Sequence, residues 1–162
     1  MISKFNLLLV TFLFVGKIKY APGTIASLIT CFLFFLVSIY INISIIFLFT
    51  LIIFLYSIVA INSIYEKFNS KDPQEIVIDE FVGQMITLLA IPIYETLYPT
   101  YKIIYLGASF LTFRFFDILK PYPINYVDKN TKGAFGIMFD DVIAGLFAAA
   151  FLIILFFLWV DK

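Results

Sequence analysis

The sequence contains no histidine among its 162 residues. This absence excludes histidine-ligated zinc, Ser-His catalytic triads and phosphatases that use a histidine nucleophile. The only cysteine, Cys31, lies inside an apolar run, and no glycine-rich loop with an arginine follows it. A disulfide within the chain and a cysteine-phosphatase loop are therefore excluded as well. An enzyme of this composition would have to use carboxylates, hydroxyls, lysines, one arginine and a hard metal ion.

Charged residues are scarce, at 14% of the chain, whereas 63% of the residues are hydrophobic. Soluble domains usually carry about a quarter charged residues. The mean hydropathy is +1.06, and the apolar residues fall in long blocks rather than in alternation. We therefore predict an integral membrane protein with one domain over residues 1–162. The net charge of zero gives no reason to expect a nucleic-acid partner.

Five apolar runs approach the roughly 20 helical residues that cross a bilayer core. These predicted spans are 25–40, 43–61, 81–98 (which contains Pro92), 103–119 and 142–160. A further run, 5–15, is too short to cross and predicts an interfacial or re-entrant helix. The prediction is thus an all-α integral membrane protein, a compact bundle of about five transmembrane helices plus this short N-terminal helix.

Lysines are concentrated in the loops on one side of this bundle, namely 16–24, 62–78 and 120–139. Cytoplasmic loops of membrane proteins carry an excess of lysine and arginine. We therefore predict that these three loops face the cytoplasm.

Two acidic pairs precede apolar runs, Asp79-Glu80 before the third span and Asp140-Asp141 before the fifth. One such pair is explained by a helix N-terminus, where carboxylates cap exposed N–H groups and favour the helix dipole. Two adjacent pairs on one face of a membrane repel each other unless a cation lies between them. Mg²⁺ prefers carboxylate oxygens and leaves room for phosphate oxygens. The four residues are therefore the predicted metal ligands.

The stretch FRFFDILK, near the end of the fourth span, places Arg114, Asp117 and Lys120 at intervals of three. On a helix this spacing puts the three side chains along one side. A snorkelling Arg–Asp pair at the membrane interface is the simple explanation. However, Arg114 is the only arginine, which suggests a need for the planar, forked donor that suits carboxylate or phosphate.

Two glycine-containing stretches, APGTIAS and TKGAFG, stand before apolar runs. In the first, Thr24 or Ser27 is expected to cap a helix after the Pro22-Gly23 turn. In the second, Gly133 and Gly136 are expected to be ordinary turn glycines or to let backbone N–H groups approach an anion.

Taken in order, PGT-x-A-S, DEFVGQ, FRFFDILKPYPI and GIMFDDVIAG resemble the phosphatidylglycerophosphatase A family of bacterial inner-membrane lipid phosphatases, from about Pro22 to Gly145. The resemblance implies a helical membrane bundle that hydrolyses phosphatidylglycerophosphate to phosphatidylglycerol and phosphate with Mg²⁺. The family's acidic positions match Asp79, Glu80, Asp117, Asp140 and Asp141. Its basic positions match Arg114 and Lys120, and its Pro-Gly-Thr turn matches Pro22, Gly23 and Thr24.

Together, the residues and the resemblance predict a site at the cytoplasmic face. Asp79, Glu80, Asp140 and Asp141 would hold one or two Mg²⁺ ions, and the phosphate would be bound by Arg114, Lys120, Gly23, Thr24, Gly133 and Gly136. Asp117, Arg114 and Lys120 are the candidate catalytic residues, with Asp117 as base or nucleophile. The attacking group would be either a water molecule at the metal or a carboxylate that forms an acyl phosphate. The main alternative is a cation transporter or channel subunit that uses the acidic clusters as ion ligands.

Overall fold

A computed structural model describes residues 2–65, 73–90 and 102–160. Within these ranges the chain forms seven α-helices and one 3₁₀ turn, Val15–Lys17, and no strand. The helices are α1 (Ile2–Val10), α2 (Pro22–Val37), α3 (Ile43–Ile64), α4 (Ile78–Leu88), α5 (Lys102–Leu119), α6 (Ile124–Asn130) and α7 (Gly133–Val160). The predicted all-helical class is confirmed.

Two of the described helices are long and apolar enough to cross a membrane, α3 and the Gly133–Leu158 part of α7. Only 22% of the most apolar window of α3 is buried, so most of its apolar side chains face outward. Such a surface fits a membrane protein. The apolar helix α2 is shorter. Five spans remain a prediction, because the predicted span 81–98 and its Pro92 run into residues 91–101, outside the described residues.

The centre of the bundle is the contact between α4 and α7, where two glycines let the backbones touch. A Cβ on Gly145 would collide with the Gly83 carbonyl oxygen, and a Cβ on Gly83 would lie 2.6 Å from the Asp141 carbonyl oxygen. The Thr87 hydroxyl lies 3.2 Å from the Gly145 carbonyl oxygen, and the Tyr105 hydroxyl donates to the Thr87 carbonyl at 3.0 Å. These contacts fix α5 and α7 around α4.

The short run 5–15 forms α1 and the turn after it, and α1 packs against α3. Asn6 joins the two helices: its Nδ2 donates to Ser63 Oγ at 2.6 Å and its Oδ1 accepts from the Tyr56 hydroxyl at 2.9 Å. A short N-terminal helix is therefore present. Its place at the membrane interface remains a prediction.

The last helix differs from the prediction, because α7 begins at Gly133 rather than near residue 142. The predicted loop 120–139 in fact contains α6 and the first turns of α7. Asp140 and Asp141 therefore lie in the third turn of a helix, beyond the first turn whose N–H groups need capping. The expectation that they mark a helix N-terminus is wrong. Hydropathy locates the start of an apolar run, whereas a helix starts where its backbone hydrogen bonds begin.

Candidate active site

One cavity of about 790 Å³ gathers the ends of the helices. It is lined by the N-terminus of α2, the residue after α3 and the first turn of α4. It is also lined by the last turns of α5, by residues of α6 and by the first turns of α7. All eleven predicted site residues line it: Gly23, Thr24, Asp79, Glu80, Arg114, Asp117, Lys120, Gly133, Gly136, Asp140 and Asp141. The five acidic residues thus converge from three helices.

Asp79, Glu80 and Asp141 form the tightest acidic group in the described part of the chain. One carboxylate oxygen from each lies within 4.8 Å of the others. Asp79 Oδ1, Glu80 Oε2 and Asp141 Oδ2 are buried and make no hydrogen bond to the described residues. Burial, and then the neighbouring Glu80 carboxylate, raise the pKa of Asp79 well above its usual range. Three carboxylates at this spacing, each with an unpartnered buried oxygen, fit a hard divalent cation such as Mg²⁺, which would offset both penalties.

Asp140 has a different environment from Asp141, although both line the cavity. Its Oδ2 accepts a hydrogen bond from Lys120 Nζ at 2.6 Å, and the same ammonium donates to Asp128 Oδ1 at 2.7 Å. Burial disfavours the charged form of Lys120, but these two hydrogen bonds outweigh burial and raise its pKa above the ordinary value. Lys120 is therefore a fixed cation, suited to binding an anion and unsuited to acting as a base.

Arg114 and Asp117 pair within the cavity rather than at a lipid-facing surface. Arg114 Nη1 lies 2.5 Å from Asp117 Oδ2 and 4.0 Å from Glu80 Oε1, and the arginine side chain is 15% exposed. Its Nε is buried and makes no hydrogen bond with the described residues, whereas Nη1 is occupied by Asp117. The guanidinium therefore keeps a donor at Nε for a further acceptor such as phosphate.

The Pro22-Gly23-Thr24 turn lies at the very start of α2, where Pro22 occupies the first helical position as its fixed φ favours. The expectation that Thr24 or Ser27 caps this helix is wrong, because the N-cap is Ala21 and no side chain caps it. Ser27 Oγ donates instead to the Gly23 carbonyl at 2.9 Å. A Cβ on Gly23 would collide with Glu80 Oε1. Gly23 thus allows the Glu80 carboxylate to lie against the N-terminus of α2.

Gly23→Ala is expected to lower catalytic turnover by about 10- to 100-fold, because the new methyl group displaces the Glu80 carboxylate. The fold should remain intact, since alanine is the better helix former. Turnover and melting temperature in detergent are the measurements. Gly107→Ala in α5 is the matched control, because a Cβ there meets nothing within 4 Å. Equal activity of the two variants would contradict this account of Gly23.

Gly133 and Gly136 both line the cavity, but glycine is needed at the two positions for different reasons. Gly133 adopts a φ of +74°, which glycine tolerates best, at the first residue of α7. Gly136 lies inside the first turn of α7, where a Cβ would collide with the Thr131 carbonyl oxygen. Only Gly133 is thus a turn glycine, and a contact of either backbone with phosphate remains a prediction.

Sequence reasoning missed four charged residues that line the cavity: Asp128, Lys19, Lys129 and Lys132. The loop lysines enter the prediction only through the membrane orientation, and Asp128 falls in the predicted loop 120–139. The available signal was the density of charge in VDKNTK, which is high for so apolar a chain.

Comparison with known proteins gives the family. The family model of phosphatidylglycerophosphatase A matches residues 8–156, nearly the whole chain. The chain belongs to this family. Membership makes the protein a phosphoric monoester hydrolase, as the resemblance of its motifs predicted.

Three curated relatives support the assignment. Phosphatidylglycerophosphatase A of Haemophilus influenzae is 38% identical over 133 residues, 82% of this chain and 77% of the relative. Phosphatidylglycerophosphatase A of Escherichia coli is 42% identical over 81 residues, 50% of this chain and 43% of the relative. A Bacteroides thetaiotaomicron protein, provisionally named phosphatidylinositol-3-phosphatase, is 36% identical over 153 residues, 90% of this chain and 88% of the relative. No solved structure matches the chain significantly.

Proposed function

We propose that this member of the phosphatidylglycerophosphatase A family hydrolyses phosphatidylglycerophosphate to phosphatidylglycerol and inorganic phosphate, with Mg²⁺ as cofactor. The observation that carries the proposal is the group of three close carboxylates, each with a buried oxygen that has no hydrogen-bond partner among the described residues, beside an arginine whose Nε is also unpaired. The names of two relatives supply the substrate. The alternative of a cation transporter or channel gains no support from the family.

Asp79, Glu80 and Asp141 are the proposed ligands of one metal ion. Bound there, Mg²⁺ would supply the positive charge that draws phosphoryl oxygens toward three carboxylates. Asp140 belongs to the ligand set predicted from sequence, and its Oδ1 is buried without a hydrogen-bond partner among the described residues. Because Lys120 holds the other oxygen, we propose that Asp140 chiefly orients that lysine.

Arg114 and Lys120 are the proposed phosphate-binding cations. Phosphoryl transfer is accelerated mostly by positioning and by electrostatic stabilisation of the equatorial oxygens. The Nε of Arg114, unpaired among the described residues, suits one of these oxygens, and Lys120 contributes a fixed charge. Asp117, held by Arg114, is the proposed base or nucleophile. As base it would take a proton from water, and as nucleophile its oxygen would bond to phosphorus while the glycerol oxygen leaves.

The decisive experiment measures phosphate release from phosphatidylglycerophosphate by the purified protein in detergent. Release should fall by at least about tenfold on addition of EDTA and return when excess Mg²⁺ is added. Phosphatidylinositol-3-phosphate is the comparison substrate, because one relative is named for it. Faster hydrolysis of that lipid would overturn the proposed substrate, and full activity in EDTA would overturn the proposed cofactor.

We further propose that the protein lies in the bacterial cytoplasmic membrane with its cavity toward the cytoplasm. The cavity and the α2–α3 turn lie at opposite ends of α2, whose 16 residues span about 24 Å. In a Cys31→Ser background, a cysteine at Asn42 in that turn should react with an impermeant thiol reagent in intact cells. A cysteine at Lys129 should react only after lysis. The reverse pattern would invert the proposed orientation.

A further inference from the structure

Three lysines line the cavity in addition to the acidic residues already described. We call Lys19, Lys129 and Lys132 the lysine rim. All three are exposed and line the cavity, whereas Asp140 and Asp141 are buried and Asp79 and Glu80 are largely so. The metal-ligand candidates thus form a buried, acidic part of the cavity, and the three lysines lie in its exposed part. The exposed Asp128 also lines the cavity, but its carboxylate is paired with Lys120.

The inner and outer cations differ in their partners. Arg114 contacts Asp117, and Lys120 binds Asp128 and Asp140. No lysine of the rim has an acidic partner among the residues that the structure describes. Like charges around one opening repel each other, and an anion between them removes the repulsion. The rim comes from two separate stretches of the chain, the segment before α2 and the segment around the end of α6.

The cavity also extends past the rim. A second depression of about 370 Å³ shares Lys19, Pro22 and Gln74 with the main cavity and adds Gly16, Lys17, Ile18 and Glu75. Its two lysines outnumber its one carboxylate. A ligand whose phosphate monoester occupies the acidic part thus meets further positive charge along its length. Arg114 and Lys120 already serve the inner phosphate, so the rim is available for a second anionic group.

We propose that the lysine rim binds the phosphodiester that joins the substrate's headgroup to its diacylglycerol. The rim then selects lipids that carry this phosphodiester in addition to the phosphomonoester that is cleaved. The assignment of the cleaved group rests on the proposed function. Lysine suits this role because its ammonium binds phosphate as a point charge without a fixed fork geometry. Phosphatidic acid, which has a monoester and no diester, gains nothing from the rim.

The first test measures binding without catalysis. Phosphatidylglycerol, the expected product, keeps the phosphodiester and lacks the monoester. Binding of a short-chain phosphatidylglycerol is measured calorimetrically in neutral detergent with EDTA, for wild type and for the triple variant Lys19→Gln, Lys129→Gln, Lys132→Gln. The variant should bind about tenfold more weakly, since charged hydrogen bonds to the diester are lost. Equal affinities would overturn the proposal.

Lys4→Gln is the control, and it is compared also with the single variant Lys129→Gln so that each protein loses one charge. Lys4 is an exposed lysine of α1 that does not line the cavity, so its loss removes one charge from the protein and none from the rim. It should bind phosphatidylglycerol as the wild type does. A loss equal to that of the triple variant would mean that total charge matters and would overturn the proposal.

The second test separates the rim from the reaction. In the triple variant, KM for phosphatidylglycerophosphate should rise about tenfold with kcat nearly unchanged, the pattern of lost uniform binding. Hydrolysis of phosphatidic acid should not change. An equal loss on both lipids would mean general attraction of anionic lipid and would overturn the selective role. If wild type hydrolyses neither lipid, the proposed function fails, and the calorimetric comparison still decides the rim.

Discussion

Asp141→Asn is expected to lower turnover of phosphatidylglycerophosphate by about 10²–10³-fold at ordinary Mg²⁺ concentrations. The change removes one of the three anionic oxygens that lie within 4.8 Å of each other while keeping the shape of the side chain. Because Asp141 lies inside α7, the loss of a helix cap cannot explain such an effect. The measurement is turnover as a function of Mg²⁺ concentration, beside the melting temperature in detergent.

Asp128→Asn is the matched control for this substitution. Asp128 also lines the cavity and also loses a charge, but it binds Lys120 and lies outside the group of three carboxylates. Its turnover should stay within about tenfold of wild type, with an unchanged requirement for Mg²⁺. Near-normal turnover of Asp141→Asn would contradict the metal site. An equal loss in both variants would point to the total charge of the cavity rather than to a ligand.

Arg114→Ala is expected to lower turnover by about 10²–10³-fold, because it removes the guanidinium proposed to bind a phosphoryl oxygen. Arg114→Lys restores the charge without the planar fork, so it should recover only part of this loss. The split between kcat and KM is the measurement, since a contact made mainly in the transition state lowers kcat.

The stability of the two Arg114 variants separates catalysis from folding. Removing the guanidinium leaves Asp117 and Glu80 without a positive neighbour, and part of any loss could come from that repulsion. Melting temperatures in detergent detect it. Lys102→Gln, at the other end of α5 and away from the cavity, is the control for the effect on turnover of losing a charge from this helix. Its melting temperature is measured too, because Lys102 lies over the Phe35 ring. Full activity of Arg114→Ala would contradict its role.

The residues of the site were predictable from sequence because charge is rare in this chain. In so apolar a sequence, two acidic pairs and a lone arginine stand out, and all of them line one cavity. The different contacts of these residues were not predictable from sequence. The spacing of Asp140 and Asp141 does not reveal that one binds Lys120 and the other lies beside Asp79. The position of Lys120 depends on α6, because Asp128 of that helix binds the same lysine.

The helical class was likewise predictable from apolar run length, but the helix starts were not. Hydropathy placed the start of the last helix about nine residues too late, because two glycines and then the Asp140-Asp141 pair interrupt the apolar residues of its first turns. The contact between Glu80 and Gly23 was also not predictable from sequence, because it depends on how α2 and α4 pack against each other. Tertiary contacts of this kind leave no periodic trace in a single sequence.

The glycine contact between α4 and α7 determines how the site responds to its surroundings. Gly83 lies one turn beyond Asp79 and Glu80, and Gly145 lies one turn beyond Asp141. Backbone meets backbone there, and the Phe113 ring packs beside Gly83, so the spacing between the two acid-bearing turns does not depend on a side chain held between the two helices. The two acid-bearing turns would therefore move together as one rigid unit if the candidate membrane helix α7 changed its tilt. The dimensions of the acidic group would then stay constant across membranes of different lipid composition.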